Sequence, residues 1–161
     1  MIEPEETIEA KLVSALRAAV PEIDVISALA PCEQGDLKLA ANSCISVFVD
    51  LASQDLDWIG PGVPCTYSAR VVLKVDFSDD KTGALFRDSA RQVRGALAAL
   101  TGDGCAAMSD DGDDGFVCDA FIMDSTNTAL DAGDGSGAMS KTYNATVKGR
   151  FFPHNTNQED S

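Results

Sequence analysis

The segment CTYSARVVLKVDF, residues 65–77, decides the fold of this chain. Its odd-numbered residues are all apolar, whereas its even-numbered residues are polar or charged apart from Val72. This alternation with a period of two predicts a half-buried strand in an antiparallel sheet. At about 3.4 Å per residue the strand would run roughly 44 Å, which exceeds the usual length. We therefore expect one end to project beyond the domain or to pair with something outside it.

Helical and strand periodicities surround this segment along the chain. Apolar residues three and four positions apart predict helices at residues 4–20 and 82–100. Alternation predicts further strands at residues 43–51, 105–108, 116–125 and 140–152. Adjacent strands interrupted by one helix favour an α+β fold of order α-β-β-α-β-β. We expect a mainly four-stranded antiparallel sheet with both helices packed on one face.

The connecting segments carry turn and capping signals. Residues 23–39 contain Pro31 and a Gly35-Asp36 turn, so mostly irregular backbone is predicted there. The second helix has three candidate N-caps just before it, namely Ser78, Asp79 and Asp80. In residues 52–64 the tip is rich in Gly and Pro, which prevents regular pairing and predicts a long hairpin with a protruding loop. Residues 1–153 should form one domain, and residues 154–161 a polar, flexible tail.

Composition excludes several classes of function. The formal charge of the 161-residue chain is −14, which disfavours specific nucleic-acid binding because phosphates attract clustered Lys and Arg. There is no apolar run long enough for a membrane span, and the start MIEPEETIEA is acidic where a signal peptide is basic. Five cysteines without C-x-x-C spacing argue against a disulfide framework and a zinc site, and we expect all of them to be reduced: Cys32, Cys44, Cys65, Cys105 and Cys118.

No motif in the chain points to catalysis, a cofactor or a metal. The acidic segments 110–114 and 131–137 do not match the calcium loop D-x-[DN]-x-[DN]-G with its distal glutamate, and a turn is the better interpretation. His154 is the only histidine and lies in the predicted tail without a partner, so serine and cysteine nucleophiles lack a base. G-x-S-x-G, G-x-G-x-x-G and P-loop motifs are absent. The sequence predicts a protein that is not an enzyme.

Trp58 is the most informative single residue of the predicted loop. It is the only tryptophan of the chain and precedes Ile59 in a segment flanked by Gly and Pro. Tryptophan is costly to leave in water and is enriched in binding hot spots, although it can also fold back onto its own sheet. Together with outward basic residues of the strands it forms our candidate interface set: Trp58, Ile59, Arg70, Lys74, Lys148 and Arg150.

The layout of residues 4–152 resembles the tail terminator family of long-tailed bacteriophages, the tail completion or minor tail protein U-like proteins. The resemblance lies in an amphipathic helix (IEAKLVSALRAAVP), a strand (SCISVFVDL), the long strand, a helix (FRDSARQVRGALAAL) and a closing strand pair (FVCDAFIMDS and KTYNATVKGRFF). It is a likeness of order and topology without an invariant motif. The acidic segment 131–137 has no counterpart in the family pattern.

This resemblance implies a structural virion protein of the tail or neck, assembled in the host cytoplasm. Members of the family form a hexameric ring that caps the tail tube, stops its elongation and joins it to the head connector. The implied partners are further copies of the chain, the tail-tube protein and a connector or neck protein, with DNA passing through the lumen and without a membrane. The family has no catalytic residues and no cofactor to carry over.

Two alternatives remain open at this point. The first is another neck, head–tail joining or tail-tube protein of the same kind of virion. The second is a small cytoplasmic α+β enzyme or ligand-binding module that uses Cys65 or Cys118 with the acidic loops. A reactive cysteine needs a positive neighbour to lower its pKa, and Arg70 and Lys74 lie on the opposite face of the strand from Cys65.

Overall fold

The alternating segment forms the central strand of a mixed sheet. A computed structural model describes residues 4–27, 43–109, 115–133 and 136–152. Within these residues five strands are ordered β1-β2-β3-β5-β4. The strands are β1 Asp24–Ser27, β2 Cys44–Gln54, β3 Val63–Asp76, β4 Phe116–Gly133 and β5 Ser136–Phe151. The helices are α1 Pro4–Ala19, α2 Ala84–Ala98 and a 3-10 helix, Gly102–Met108. The predicted α+β class is confirmed.

The two faces of β3 were predicted correctly by the alternation. From Cys65 onward its odd-numbered side chains are all at most 5% exposed: Cys65, Tyr67, Ala69, Val71, Leu73 and Val75. Phe77 departs from the pattern, because the strand ends at Asp76 and this ring is 39% exposed.

The expectation that one end of β3 would project beyond the domain or pair with something outside it is wrong. β3 pairs antiparallel with β5 over its whole length, from Val63 opposite Phe151 to Asp76 opposite Ala138. Its other side pairs antiparallel with β2. A long strand is thus accommodated inside the chain because its neighbour β5 is at least as long, 16 residues against 14.

Both helices lie on the face that carries the odd-numbered side chains of β3. Three residues of α1 are fully buried in this core: Ile8, Leu12 and Leu16. Val93 and Leu97 of α2 join the same cluster. The hydroxyl of Tyr143, on β5, donates a hydrogen bond to the backbone oxygen of Ala90 at 3.2 Å and so ties α2 to the sheet. The even-numbered side chains of β3, on the other face, are half-buried or exposed.

Two predicted elements need correction. Irregular backbone was expected for residues 23–39, but Asp24–Ser27 forms β1, which pairs in parallel with β2 and makes the sheet mixed. Residues 28–42 lie outside the described residues. A strand was expected at residues 105–108, where the structure has the 3-10 helix instead. Cys105 and Met108 are both buried, and residues three apart share one face of a 3-10 helix.

The β4–β5 hairpin is longer than predicted. Strands were expected at residues 116–125 and 140–152, yet β4 continues to Gly133 and β5 begins at Ser136. Two irregularities interrupt the ladder, between Cys118 and Ala120 and between Met123 and Ser125. The described residues of the acidic segment 131–137, which was predicted to connect two strands, therefore belong to β4 and β5. Segments 110–114 and 153–161, which include His154 and the predicted tail, lie outside the described residues.

One of the three candidate caps of α2 is used. The helix follows Gly83, which has a φ of 82° and no side chain to accept a hydrogen bond. The carboxylate of Asp80 accepts the N–H of Phe86 at 2.9 Å. Desolvation raises the pKa of Asp80, but backbone hydrogen bonds from this turn outweigh it and hold the pKa below its usual value. Ser78 instead hydrogen-bonds to Asp76, and Asp79 accepts the Ser43 hydroxyl.

We predict that Gly149→Ala destabilises the fold. A Cβ at Gly149 would lie 2.4 Å from the Val117 oxygen and 2.6 Å from the Phe116 ring, and overpacking of this kind costs about 1–3 kcal/mol. Gly95→Ala is the matched control, since nothing lies within 4 Å of its added Cβ and Ala in a helix interior gains about 0.5–1 kcal/mol over Gly. Urea unfolding measures both, and equal midpoints for the two variants would contradict the packing described.

Candidate functional site

The loop between β2 and β3, residues 55–62, exposes large apolar side chains. Leu56 is 84% exposed, Trp58 47% and Ile59 95%. Single exposed apolar residues are common on protein surfaces, but three within four positions form a patch. Aromatic residues in such patches are typical of binding hot spots. The prediction that Trp58 and Ile59 lie in a protruding loop is confirmed, while their interface role stays a prediction.

Hydrogen bonds within this loop set its shape. The Asp55 N–H donates to the Pro64 oxygen at 3.1 Å, and the Asp57 N–H donates to Asp55 Oδ1 at 3.2 Å. The Trp58 indole N–H donates to the Pro61 oxygen at 3.4 Å. Gly62, with a φ of 76°, leaves no room for a Cβ beside the ring of Phe152. A loop already held in one shape loses less entropy when a partner binds it.

The basic residues predicted for the interface lie on the face of the sheet opposite the helices, and two of them share a groove. Lys148 and Arg150 line a groove of about 480 Å³ that also includes Asp55, at the stem of the β2–β3 loop. Arg150 forms a bidentate pair with Asp119, with both N···O distances 3.1 Å. Hydrogen bonds to Asp119 raise the pKa of Arg150. Its charge is therefore already partly neutralised.

The other two predicted basic residues lie further from the loop. Thr66 is opposite Lys148 in the β3–β5 ladder, and Lys74 is eight residues further along β3, which corresponds to roughly 27 Å. Lys74 is half-buried opposite Cys44. Arg70 is exposed between these positions, opposite Phe48. The structure thus brings Lys148 and Arg150 close to the loop and leaves Lys74 at the far end of the sheet.

A second surface was not predicted from the sequence. We call it the α2 groove; it comprises two adjoining depressions of about 290 and 260 Å³ that share Phe86 and Arg87. Its apolar side chains are Val75, Phe77, Phe86 and Met139. Its basic side chains are Lys81, Arg87, Arg91, Arg94 and Lys141. The helical spacing of the arginines is visible in the sequence, but the groove is not, because Lys141 joins them only through the β3–β5 pairing.

Among the described residues, most of the basic side chains of the α2 groove form no ion pair with a carboxylate. Arg91 pairs with Asp88 at 3.2 Å, and both side chains are largely exposed. The Lys141 Nζ lies 5.7 Å from the centroid of the Tyr143 ring, a cation–π contact. No carboxylate of the described residues forms an ion pair with Arg87, Arg94 or Lys141. Burial raises the pKa of Tyr143 to about 12, opposed by the positive charge of Arg94.

The described cysteines lack the surroundings of a reactive thiol. Cys44, Cys65, Cys105 and Cys118 are free and buried; Cys32 lies outside the described residues. Burial raises the pKa of Cys65, and it also raises that of Cys44 against the attraction of Lys74. Burial, followed by the neighbouring Cys105 thiol, raises the pKa of Cys118. These shifts work against a thiolate nucleophile.

Among residues 4–27, 43–109, 115–133 and 136–152, no three His, Cys, Asp or Glu side chains are grouped as metal ligands would be. Segment 110–114 and the side chains of residues 131–136, which include the acidic groups considered for calcium, lie outside what the structure describes. None of the described helices is both long and apolar enough to cross a membrane.

Comparison with known proteins gives a likeness of fold. No protein-family model and no curated protein sequence matches the chain. Among solved structures, 24 chains match. One of them belongs to the virion of a native gene transfer agent particle, is 15% identical and superposes with a TM-score of 0.55. The match covers 88% of this chain and 93% of the other. At this identity the likeness shows that the two chains share a fold.

We predict that the four described cysteines alkylate slowly in the native protein. Raised pKa values keep Cys44, Cys65 and Cys118 protonated near pH 8, and burial restricts access to all four, including Cys105. Mass spectrometry of peptides after iodoacetamide treatment measures each site, and the same protein in urea is the control for intrinsic reactivity. Rapid native labelling of Cys65 or Cys118 would instead favour the alternative of a cysteine enzyme.

Proposed function

We propose that this protein is a structural virion protein, and more narrowly a tail terminator. In this role copies of the chain form a ring, hexameric in the family that the sequence resembles, which caps the tail tube, stops its elongation and joins the tail to the head connector. The observation that carries the proposal is the fold likeness to a virion chain, because it extends over nearly the whole length of both chains. A shared fold alone does not fix function, so the surfaces of this chain must support the role.

The surfaces of the chain are suited to assembly. The β2–β3 loop is held in one shape by its hydrogen bonds and exposes Leu56, Trp58 and Ile59. Exposed side chains of this kind are typical of binding hot spots. The groove lined by Lys148 and Arg150 lies beside the stem of that loop. We propose these residues, with Arg70 and Lys74 further along the same face, as contacts to a neighbouring copy, the tube or the connector.

The acidity of the chain agrees with a role in which DNA passes and is not held. Each copy carries a formal charge of −14. A negatively charged lumen wall repels the phosphates of DNA. The ring would then act as a conduit without sequence-specific contacts. This part of the proposal depends on the negative sign of the surface charge and assigns no residue to contacts with DNA bases.

Two other functions lead to different observations. A different neck or tail-tube protein of the same virion would have similar surfaces, but a tube protein would polymerise into long tubes and would not stop at one ring. A cysteine-based enzyme is disfavoured by the raised pKa values of the buried thiols Cys65 and Cys118.

We predict that the purified protein binds to the ends of tubes formed by its cognate tail-tube protein, and that Trp58→Ala weakens this binding or the ring itself. Truncation of a tryptophan hot spot costs about 2 kcal/mol or more, equivalent to roughly a 30-fold loss of affinity. Negative-stain microscopy of tube ends, with native mass spectrometry of the complex, measures both effects.

The control for this experiment is the stability of the variant. Because Trp58 is partly exposed, Trp58→Ala should change the free energy of unfolding by less than about 1 kcal/mol. Phe116→Ala should cost about 3–5 kcal/mol, since the ring is fully buried. Decoration along the sides of tubes, growth of long tubes from this protein alone, or absence of any tube binding would contradict a terminator.

A further inference from the structure

The β2–β3 loop and the α2 groove lie at opposite ends of the sheet. The loop leads into Val63, the first residue of β3, whereas the groove begins at Val75, next to its last residue. Val75 is 12 residues beyond Val63 along β3, and at about 3.4 Å per residue the two surfaces are roughly 40 Å apart. They cannot meet within one copy of the chain. A contact between them would join the loop end of one copy to the groove end of another.

The two surfaces are complementary in charge. Residues 55–62 contain Asp55 and Asp57 and no basic residue. The α2 groove collects five of the 12 Lys and Arg of a chain whose net charge is −14. Two carboxylates oppose this charge, Asp80, which lines the groove and stays ionised at the start of α2, and Asp88, which pairs with Arg91, so that positive charge remains in excess. The groove is therefore a positive surface on a negative molecule, and an acidic loop is the kind of segment that it attracts.

The two surfaces are also complementary in their apolar groups. Leu56 and Ile59 are almost fully exposed on the loop, and Trp58 is about half exposed. The groove offers Phe77, Phe86 and other apolar side chains between its basic residues. An apolar centre surrounded by a charged rim is the usual arrangement of a protein–protein interface. The loop thus has apolar anchors to bury and the groove has apolar walls to receive them.

We infer that the β2–β3 loop of one copy of this protein docks into the α2 groove of the next copy, with Asp55 and Asp57 facing Arg87, Arg94 and Lys141 and with Leu56, Trp58 and Ile59 against the apolar walls. The inference rests on the proposed assembly role, to which it adds the subunit contact. Because the two surfaces differ, the contact is heterologous and repeats head to tail, and such contacts generate a closed ring when the rotation between copies closes.

Zero-length crosslinking tests the contact directly. A carbodiimide joins a carboxylate to an amine without a spacer, so we expect crosslinks from Asp55 or Asp57 to Lys81 or Lys141 in the assembled wild-type protein. In an equimolar mixture of heavy-isotope-labelled and unlabelled copies, about half of these crosslinks should join one heavy and one light chain, because the two surfaces are too far apart within one copy. A crosslink between Asp55 and Lys148, which line the same groove, is the internal control and joins residues of one chain.

Charge reversal provides a second test. We expect Asp55→Lys/Asp57→Lys and Arg87→Glu/Arg94→Glu each to weaken self-association by about tenfold or more, because like charges then face each other. An equimolar mixture should recover assembly, since the basic loop of one variant matches the acidic groove of the other and the reverse pair matches too. Glu22→Lys with Lys11→Glu, which line neither surface, controls for charge reversal elsewhere on the protein and should assemble as wild type. Thermal melting verifies that each variant is folded.

The outcomes separate this inference from the proposed function. An assembled ring without the loop–groove crosslink, or charge-reversed variants that assemble normally, would overturn the docking inference and leave the terminator role intact. Crosslinks from Lys81 and Lys141 to the tube protein in place of a second copy would also overturn it. A wild-type protein that stays monomeric both alone and with tubes would contradict the proposed function itself.

Discussion

The register of β3 between β2 and β5 is the constraint on which the rest of the structure depends. Side chains alternate between faces with a period of two, so a shift by one residue would turn every buried side chain of β3 to the open face and would place Arg70 and Lys74 in the core. The helices pack on the odd-numbered face, and the Tyr143 hydroxyl fixes α2 to it. The same register sets the α2 groove, because it places Met139 and Lys141 of β5 beside the end of β3.

The sequence predicted those elements that have one buried and one exposed face, because their apolar and polar residues then recur with the period of a strand or a helix. β3 has one covered and one open face, so its alternation is nearly complete. The distal part of β4 is different: residues 125–130 are exposed, and backbone pairing with β5 maintains the strand without any face to bury. Such a strand has no hydrophobic period to read. β1 is only four residues long, and its parallel partner β2 begins 17 positions further along the chain, beyond the reach of local patterns.

The candidate site likewise contains residues that the sequence identified and residues that only the fold brings together. Trp58 and Ile59 were identifiable because a tryptophan near Gly and Pro is a local signal, whereas Leu56 lies between two aspartates of the same loop and lacks that signal. The α2 groove was not identifiable, since its basic residues come from α2, the segment before it and β5. Only the fold brings Lys141 to the arginines. For Arg150 the reverse holds: its outward position was predicted, but its bidentate contact with Asp119 depends on the β4–β5 register.

The net charge of −14 per copy determines which kind of contact can hold such copies together. Like-charged chains repel over long distances, but at physiological salt the Debye length is about 8 Å, so repulsion between distant surfaces is largely screened. Charges that meet in a partly desolvated contact are screened much less. An acidic protein can therefore associate when its few basic residues are concentrated at the contact, opposite acidic groups and around an apolar centre. The distribution of Lys and Arg matters more for such a contact than their number, and the α2 groove holds five of the 12 Lys and Arg of the chain.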